Sequence, residues 1–167
     1  MASYKTAAVT LKTAPFAESD KMVTLFSREF GKIRVLAKGA RRVPSRFGGR
    51  VETFTYADYF IAKGRSLDIV SQCQIIETFQ KLRDNEKLTA GLYVLKLVNS
   101  GTAEGQHHPE LFDLLVETLF RMKNEKTYKR AVLDFEAAFA RLEGIYDVRM
   151  HPRDSLSLHI ERDLRAW

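Results

Sequence analysis

The chain has 167 residues, of which 45% are apolar and 29% are charged, and it carries a net charge of +6. This length fits one ordinary domain or a small domain with a packed extension, and the apolar share is sufficient for a core. Cys73 is the only cysteine, which excludes an internal disulfide and a cysteine-based zinc finger within the chain. No apolar run approaches the roughly 20 residues of a membrane span, and no signal peptide is recognisable. The sequence therefore predicts a cytoplasmic protein with no membrane partner.

The first 78 residues show the two-residue period of β-strands. Val9 and Leu11 begin an alternating strand that Pro15 is expected to break, and a short strand over residues 22–26 follows. In the next strand, over residues 32–38, apolar side chains alternate with Lys and Arg. Such alternation predicts a strand with one apolar face and one basic face.

Two further strands, over residues 54–62 and 67–76, are rich in aromatic and β-branched residues. Residues 63–66 between them have the composition of a hairpin connection. Five short strands in this part of the chain predict a closed or partly closed barrel, because closure removes exposed strand edges. The five-stranded OB-fold fits this pattern, and OB-folds bind oligonucleotides across a strand face and its loops.

From Gln80 onward the apolar period becomes helical. Apolar stripes run through residues 88–98, 111–122 and 128–142, with Pro109 at a first helical position and Gly144 as a stop. Three stripes joined by short polar connections predict a small helical bundle. The first stripe consists of Leu88, Leu92, Leu95 and Val98.

The predicted fold class is thus a β barrel plus α: an N-terminal five-stranded OB-fold followed by a small helical bundle. The OB-fold, a DNA-binding domain, is expected over residues 1–78 and the helical domain over residues 79–150. A C-terminal tail, residues 151–167, has sparse apolar positions and could form one short helix from Ser155 onward.

The positive charge is concentrated in the predicted barrel. Residues 1–78 carry 13 Lys and Arg against 7 Asp and Glu, whereas residues 79–167 carry 14 of each sign. The segment 31–50 holds seven of the cations and no acidic residue. Charge segregated in this way is typical of a surface that binds a polyanion, and nucleic acid is the first candidate. A solvated face without a partner is the alternative.

The basic strand and the loop after it supply the candidate DNA contacts. The strand would line a groove with cations, and the loop 39–50 would wrap phosphates, with Gly39 allowing close approach of the backbone. Phe47 in this loop would either stack on an exposed base or anchor the loop to the barrel. The predicted DNA-binding residues are Lys32, Arg34, Lys38, Arg41, Arg42, Arg46, Phe47 and Arg50.

Other parts of the sequence favour binding over catalysis. No Walker loop, nucleophile elbow or paired-carboxylate arrangement is present, so no catalytic residue is predicted. The adjacent His107 and His108 cannot easily face one ion and are interpreted as a polar lead-in to a helix, so no metal or other cofactor is predicted. Cys73 lies in an apolar strand and is expected in the core.

The order of residues around the basic segment resembles the RecO family of bacterial recombination-repair mediators. The match begins at Leu11, passes through residues 18–26, reaches Gly31-Lys32 and is densest over residues 37–42, Ala-Lys-Gly-Ala-Arg-Arg. It continues at Ser45-Arg46 and Phe54, and weaker helical similarity covers residues 82–144.

This resemblance implies an OB domain and a helical domain that bind single- and double-stranded DNA and anneal complementary strands. It also implies action with RecR and, indirectly, loading of RecA onto DNA coated by single-strand-binding protein, at the bacterial nucleoid. The helical domain would contact the acidic C-terminal tail of that coating protein, for which Lys126, Lys129 and Arg130 are the candidate residues. The alternative is an adaptor that acts mainly through its helical domain, with DNA binding secondary.

The chain departs from the family pattern in two respects, and one is that it ends several tens of residues short of the usual family length. Many family members continue past the helical domain with four cysteines that hold a structural zinc, and this sequence has none there. Two explanations stay open, a truncated chain and a short zinc-free variant. Retention of RecR binding is in doubt for the same reason.

Overall fold

The computed structural model describes residues 2–45, 47–83, 86–124 and 126–160. The chain divides into two compact units. The barrel unit consists of Met1–Thr78 with Ala103–Pro109, and the helical unit consists of Phe79–Thr102 with Glu110–Trp167. The predicted fold class, a five-stranded OB-type barrel followed by helices, is confirmed.

Five strands build the barrel unit: β1 Ser3–Phe16, β2 Asp20–Ser27, β3 Gly31–Ala37, β4 Tyr56–Ala62 and β5 Asp68–Glu77. The sheet closes in the order β1-β2-β3-β5-β4. The β3–β5 pair is parallel, and the other four pairs are antiparallel. β1 is long enough to pair with β4 through its first half and with β2 through its second, which lets one sheet curl into a barrel.

Pro15 lies inside β1, so the prediction that it breaks the strand is wrong. Its partner in the register is Lys21 of β2, whereas β4 pairs with β1 only as far as Val9. A proline is tolerated where one side of a strand has no strand partner, because its missing N–H removes no ladder hydrogen bond there.

The barrel interior is filled by the inward side of every strand. Val23, Leu25, Val35 and Ile61 are all fully buried in one core cluster. Cys73 of β5 belongs to the same cluster at 8% exposure, so its predicted place in the core is confirmed. The two-residue period that identified the strands therefore also identified their buried face.

The described part of the helical unit contains a short 3₁₀ helix, Gln80–Arg83, and four α-helices: α1 Glu86–Gly101, α2 Pro109–Asn124, α3 Tyr128–Leu142 and α4 Pro152–His159. Pro109 occupies the first position of α2, as its fixed φ favours. Gly144 adopts φ +71° after α3, and its N–H donates to the carbonyl of Arg141 while that of Ile145 donates to Ala140. These bonds form a Schellman motif, which confirms the predicted stop.

The predicted stripe of α1 is only partly correct. Leu95 and Val98 are buried, but Leu92 is 39% exposed. Tyr93 and Leu97, outside the stripe, are buried as well. A helix that is apolar over most of its circumference has a weak periodic signal, so its orientation depends on its neighbours.

The segment Ala103–Pro109 belongs to the barrel unit although helices flank it in the chain. The N–H of Gly105 donates to the carbonyl of Lys32 over 2.8 Å, and Glu104 forms a parallel bridge with Lys32. Gly31 has φ +68°, and a Cβ there would lie 1.9 Å from the carbonyl oxygen of Gln106. Only glycine permits this approach at Gly31, so the segment covers the start of β3.

The described part of the tail forms α4, which ends at His159. The imidazole Nδ1 of His151 accepts a hydrogen bond from the backbone N–H of Arg153 over 3.1 Å and so caps the helix N-terminus. The helix therefore begins earlier than Ser155, where the sequence placed it. Residues 161–167 lie outside the described residues.

Candidate nucleic-acid interface

The turn Lys38–Arg42, which follows β3, is fixed to the neighbouring turn between β1 and β2. Gly39 adopts φ +71°, and its N–H donates to the Asp20 carboxylate over 2.8 Å. The backbone N–H of Arg41 donates to the carbonyl of Ser19 over 2.9 Å, and its guanidinium reaches the carbonyl of Ala17 over 3.3 Å. Because backbone groups make most of these bonds, the turn holds its basic side chains on a defined frame.

Lys38 and Arg42 project from this turn and are exposed. They line a cleft of about 510 Å³ together with Asp20 and Pro44. No carboxylate of the described residues lies within 4.0 Å of either cation. The Asp20 carboxylate in the same lining accepts hydrogen bonds from the Gly39 N–H and the Ser19 hydroxyl, both at its Oδ1 oxygen. The cleft therefore presents unpaired positive charge at a surface turn.

β3 does not form the open basic groove that the sequence predicted. Arg34 is exposed, but three other side chains on the outward face of β2 and β3 are buried: Met22 at 8%, Phe26 at 0% and Leu36 at 8% exposure. Lys32 is half-buried at the bridge to Glu104, and burial lowers its pKa against the opposing influence of that carboxylate. Alternation along a strand identifies its two faces, but it does not show what covers the outer one.

Phe47 anchors the basic loop. It is 3% exposed and packs in the barrel core with Ala40 of the same loop and Val51, the residue just after it. The structure thus favours the interpretation of Phe47 as an anchor. Its inclusion among the DNA contacts is corrected, because a buried ring has no exposed surface on which a base could stack. The neighbouring N–H groups are satisfied locally, by the Ser45 hydroxyl for Phe47 and by the carbonyl of Ser45 for Gly48.

Arg50 lies where this loop meets β5. Its carbonyl accepts a hydrogen bond from the Cys73 thiol over 3.4 Å, and its side chain is exposed. Arg50 lines a second cleft, of about 650 Å³, with Phe47 and residues 71–75 of β5. Burial raises the pKa of the Cys73 thiol to about 11, so the thiol stays protonated and serves as the donor at neutral pH.

The eight predicted DNA-binding residues therefore have different surroundings. Five are exposed, one is half-buried beneath a crossing segment, one is a buried anchor, and Arg46 lies outside the described residues. The exposed five are Arg34, Lys38, Arg41, Arg42 and Arg50.

The three predicted partner contacts lie at the start of α3 and just before it. Lys126, Lys129 and Arg130 are exposed, but Arg130 is paired with Asp134 over 3.1 Å. Lys129 lines a cleft of about 400 Å³ in the helical unit, whose walls include Val132 and residues of α1 and α4. The cleft combines apolar walls with the cations of Lys129 and Arg153 and the carboxylate of Glu86.

Beside this cleft is a buried ion pair that the sequence interpretation missed. Glu136 of α3 is fully buried, and both its carboxylate oxygens accept hydrogen bonds from Arg153 of α4, over 2.7 and 2.8 Å. The hydroxyl of Tyr93 donates to the same carboxylate over 3.0 Å. This hydrogen-bonded pairing raises the pKa of Arg153, and burial raises that of Tyr93. Glu136 lies four residues after Val132 on the apolar stripe, and an acidic residue at such a position was the available signal.

None of the helices in the described residues combines the length and the apolar character that a membrane span requires. The described part of the chain also contains no group of three or more His, Cys, Asp and Glu side chains placed to hold a metal ion.

The closed five-stranded barrel and the four helices define an OB-fold protein with an appended helical unit. Two models of one family match the chain: "Recombination protein O N terminal" over residues 1–79 and "Recombination protein O C terminal" over residues 82–146. The chain therefore belongs to the recombination protein O family, which confirms the resemblance seen in its sequence.

Curated relatives agree with this assignment. The chain is 39% identical to the "DNA repair protein RecO" of Alkaliphilus metalliredigens (strain QYMF) over 143 residues, which is 84% of this chain and 58% of that protein. Proteins of the same name from Desulfitobacterium hafniense (strain DSM 10664 / DCB-2) and Nostoc punctiforme are 40% and 42% identical over 74% and 72% of this chain. The alignments cover 46% and 41% of those two proteins. The chain thus spans about half the length of the curated relatives it matches.

Proposed function

We propose that this protein is a DNA-binding recombination-repair mediator. It binds single- and double-stranded DNA, anneals complementary strands and helps to load RecA onto DNA coated by single-strand-binding protein. In this role it acts with RecR at the nucleoid, contacts RecA only indirectly and works by binding rather than by catalysis. Membership of the recombination protein O family supports the proposal, as does the name of the relatives, DNA repair protein RecO.

The observation that carries the proposal is the unpaired positive charge on the loop after β3. Lys38, Arg42 and Arg50 are exposed and have no carboxylate of the described residues within 4.0 Å. Phosphate oxygens would supply the missing counter-charges. Contacts of this kind depend on salt and carry no base information, so the binding is expected to be largely independent of DNA sequence.

A triple substitution tests this proposal. Lys38→Ala, Arg41→Ala and Arg42→Ala together are expected to weaken binding to single strands and duplexes by more than about tenfold at low salt. The slope of log affinity against log salt should fall by roughly 2 units, since each phosphate contact contributes about 0.7–0.9. Lys126→Ala, Lys129→Ala and Arg130→Ala remove the same charge from the helical unit and serve as the matched control. Equal affinities for the two triple variants would contradict the proposal.

The adaptor is the second candidate, and the cleft of about 400 Å³ beside α3 favours it. Its apolar walls and the cation of Lys129 suit an acidic, hydrophobic peptide such as the C-terminal tail of single-strand-binding protein. A titration with such a peptide, run beside labelled single-stranded DNA, separates the two candidates. Tight peptide binding without DNA binding supports the adaptor, and loss of peptide binding in the helical triple variant would locate the site.

A further inference from the structure

The second cleft, between residues 47–50 and β5, differs in chemistry from the turn Lys38–Arg42. Its volume is about 650 Å³, which is within the range of small-ligand sites. Arg50 stands at its edge. Gln72 and Gln74 also line it, and their exposed side chains make no hydrogen bond to the described residues. Among its lining residues none is acidic, and Ile75 adds an apolar surface that is 42% exposed.

The cleft exists because the barrel is incompletely paired beside β5. β3 pairs only with Asp68 and Ile69 of that strand, so residues 71–75 have no partner from β3 on that side. The loop covers part of this gap, through the buried Phe47 and the hydrogen bond from Cys73 to the carbonyl of Arg50. The remainder is a concave site with fixed walls, because both of these anchors lie in or against the core.

Gln72 and Gln74 lie on the same face of β5, two residues apart, which places them about 6.6 Å from each other along the strand. A glutamine amide carries both donors and an acceptor, so it can match the hydrogen-bonding edge of any base. In a duplex the Watson–Crick edges are already occupied, whereas in a single strand they are free. The amides therefore suit an unpaired base, and Arg50 suits its phosphate.

We infer that this cleft binds an unpaired nucleotide of a DNA strand, with Arg50 on the phosphate and Gln72 and Gln74 on the base edge. This inference rests on the proposed function and adds to it a preference for single strands. The turn Lys38–Arg42 supplies attraction to any phosphate backbone, and the cleft discriminates between unpaired and paired strands. The outward face of β2 and β3 is largely buried and leaves this role to the cleft.

The first test compares the affinities of the full chain for a labelled oligo-dT and for a duplex of equal length. Gln72→Ala with Gln74→Ala should lower the affinity for the single strand by about tenfold, the loss expected for two hydrogen bonds. The affinity for the duplex should stay within about twofold, because phosphate contacts are untouched. Gln80→Ala, at an exposed glutamine outside the barrel unit, is the matched control.

The outcomes separate the two proposals. If the unaltered chain binds no DNA at low salt, the proposed function fails and the cleft inference fails with it. If the Lys38, Arg41 and Arg42 variant loses affinity but the double glutamine variant does not, the inference about the cleft alone is overturned. An equal loss for single strand and duplex in the double variant would also overturn it.

A second measurement does not depend on the stability of a variant. An oligonucleotide carrying 4-thiothymidine is cross-linked by light to the unaltered chain, and the attached peptides are identified by mass spectrometry. The inference predicts adducts within residues 47–50 and 71–75. Adducts confined to other segments would contradict it.

Discussion

The loop of the barrel unit and the helical unit place their arginines in different surroundings. In the helical unit, Arg121 and Arg130 share the carboxylate of Asp134 at 3.0 and 3.1 Å, and Arg153 is held by the buried Glu136 at 2.7 Å. In the barrel loop, Arg42 and Arg50 have no carboxylate of the described residues within 4.0 Å.

This difference in pairing separates cations with a local counter-charge from cations without one, which the net charge of each half of the sequence cannot do. A cation held by a buried carboxylate has its charge balanced within its own unit, so the pair is costly to break and adds little to the external field. A cation without a counter-charge contributes a positive potential at the surface, which attracts an anionic partner. The same residue type therefore has a structural role in one unit and, in our proposal, a binding role in the other.

The largest expected effect concerns the anchor beneath the unpaired cations. Phe47→Ala should reduce the free energy of unfolding of the barrel unit by about 3–5 kcal/mol, because it removes a buried ring from a packed core. Phe30→Ala, at a ring that is 40% exposed, should cost only about 1 kcal/mol. Urea unfolding followed by circular dichroism measures both. A stable Phe47→Ala protein that binds single strands poorly would instead favour base stacking by Phe47.

The next effect concerns the paired cations. Glu136→Gln should destabilise the helical unit by about 3 kcal/mol, because Arg153 then keeps its charge without a partner in a partly buried site. Asp147→Asn breaks the exposed pair with Arg149, and we expect no measurable change there. Hydrogen exchange of α3 and α4 amides measures the effect within the helical unit. Similar protection in the two variants would show that burial does not distinguish these pairs.

The smallest effect is a pH dependence in the barrel. The pKa of Cys73 is about 11 in the folded protein, above the value of 9.0 for a free thiol. The folded state therefore retains the proton that the unfolded state loses. The resulting stability is fully present below pH 9 and is lost as the pH rises from 9 to 11. Cys73→Ala should flatten the stability curve over that interval, and an unchanged curve would contradict a buried, protonated thiol.

Much of the fold was predictable because it depends on local signals. The alternation in β3, the proline at the start of α2 and the glycine stop after α3 each act within a few residues. Pro15 was misjudged because the tolerance of a strand for proline depends on which neighbours pair with it. Leu92 was misjudged because the apolar surface of α1 extends around most of its circumference.

The candidate site was predictable in composition but not in arrangement. The sequence identified the cations of the loop, and the structure leaves five of the eight predicted DNA contacts exposed. It did not reveal that residues 103–109 cross over Lys32, because that contact joins positions more than 70 residues apart. The cleft at β5 was also hidden, since it arises from a gap in strand pairing rather than from a motif.

The salt dependence of DNA binding by the unaltered chain tests the central claim most directly. If the five exposed cations neutralise phosphates of a single strand, log affinity should fall linearly with log salt with a slope of about −3.5. The measurement requires only a labelled oligonucleotide and a series of salt concentrations. A slope of this size would support unpaired barrel cations as the DNA-binding surface. A slope near zero, or no binding at low salt, would contradict it.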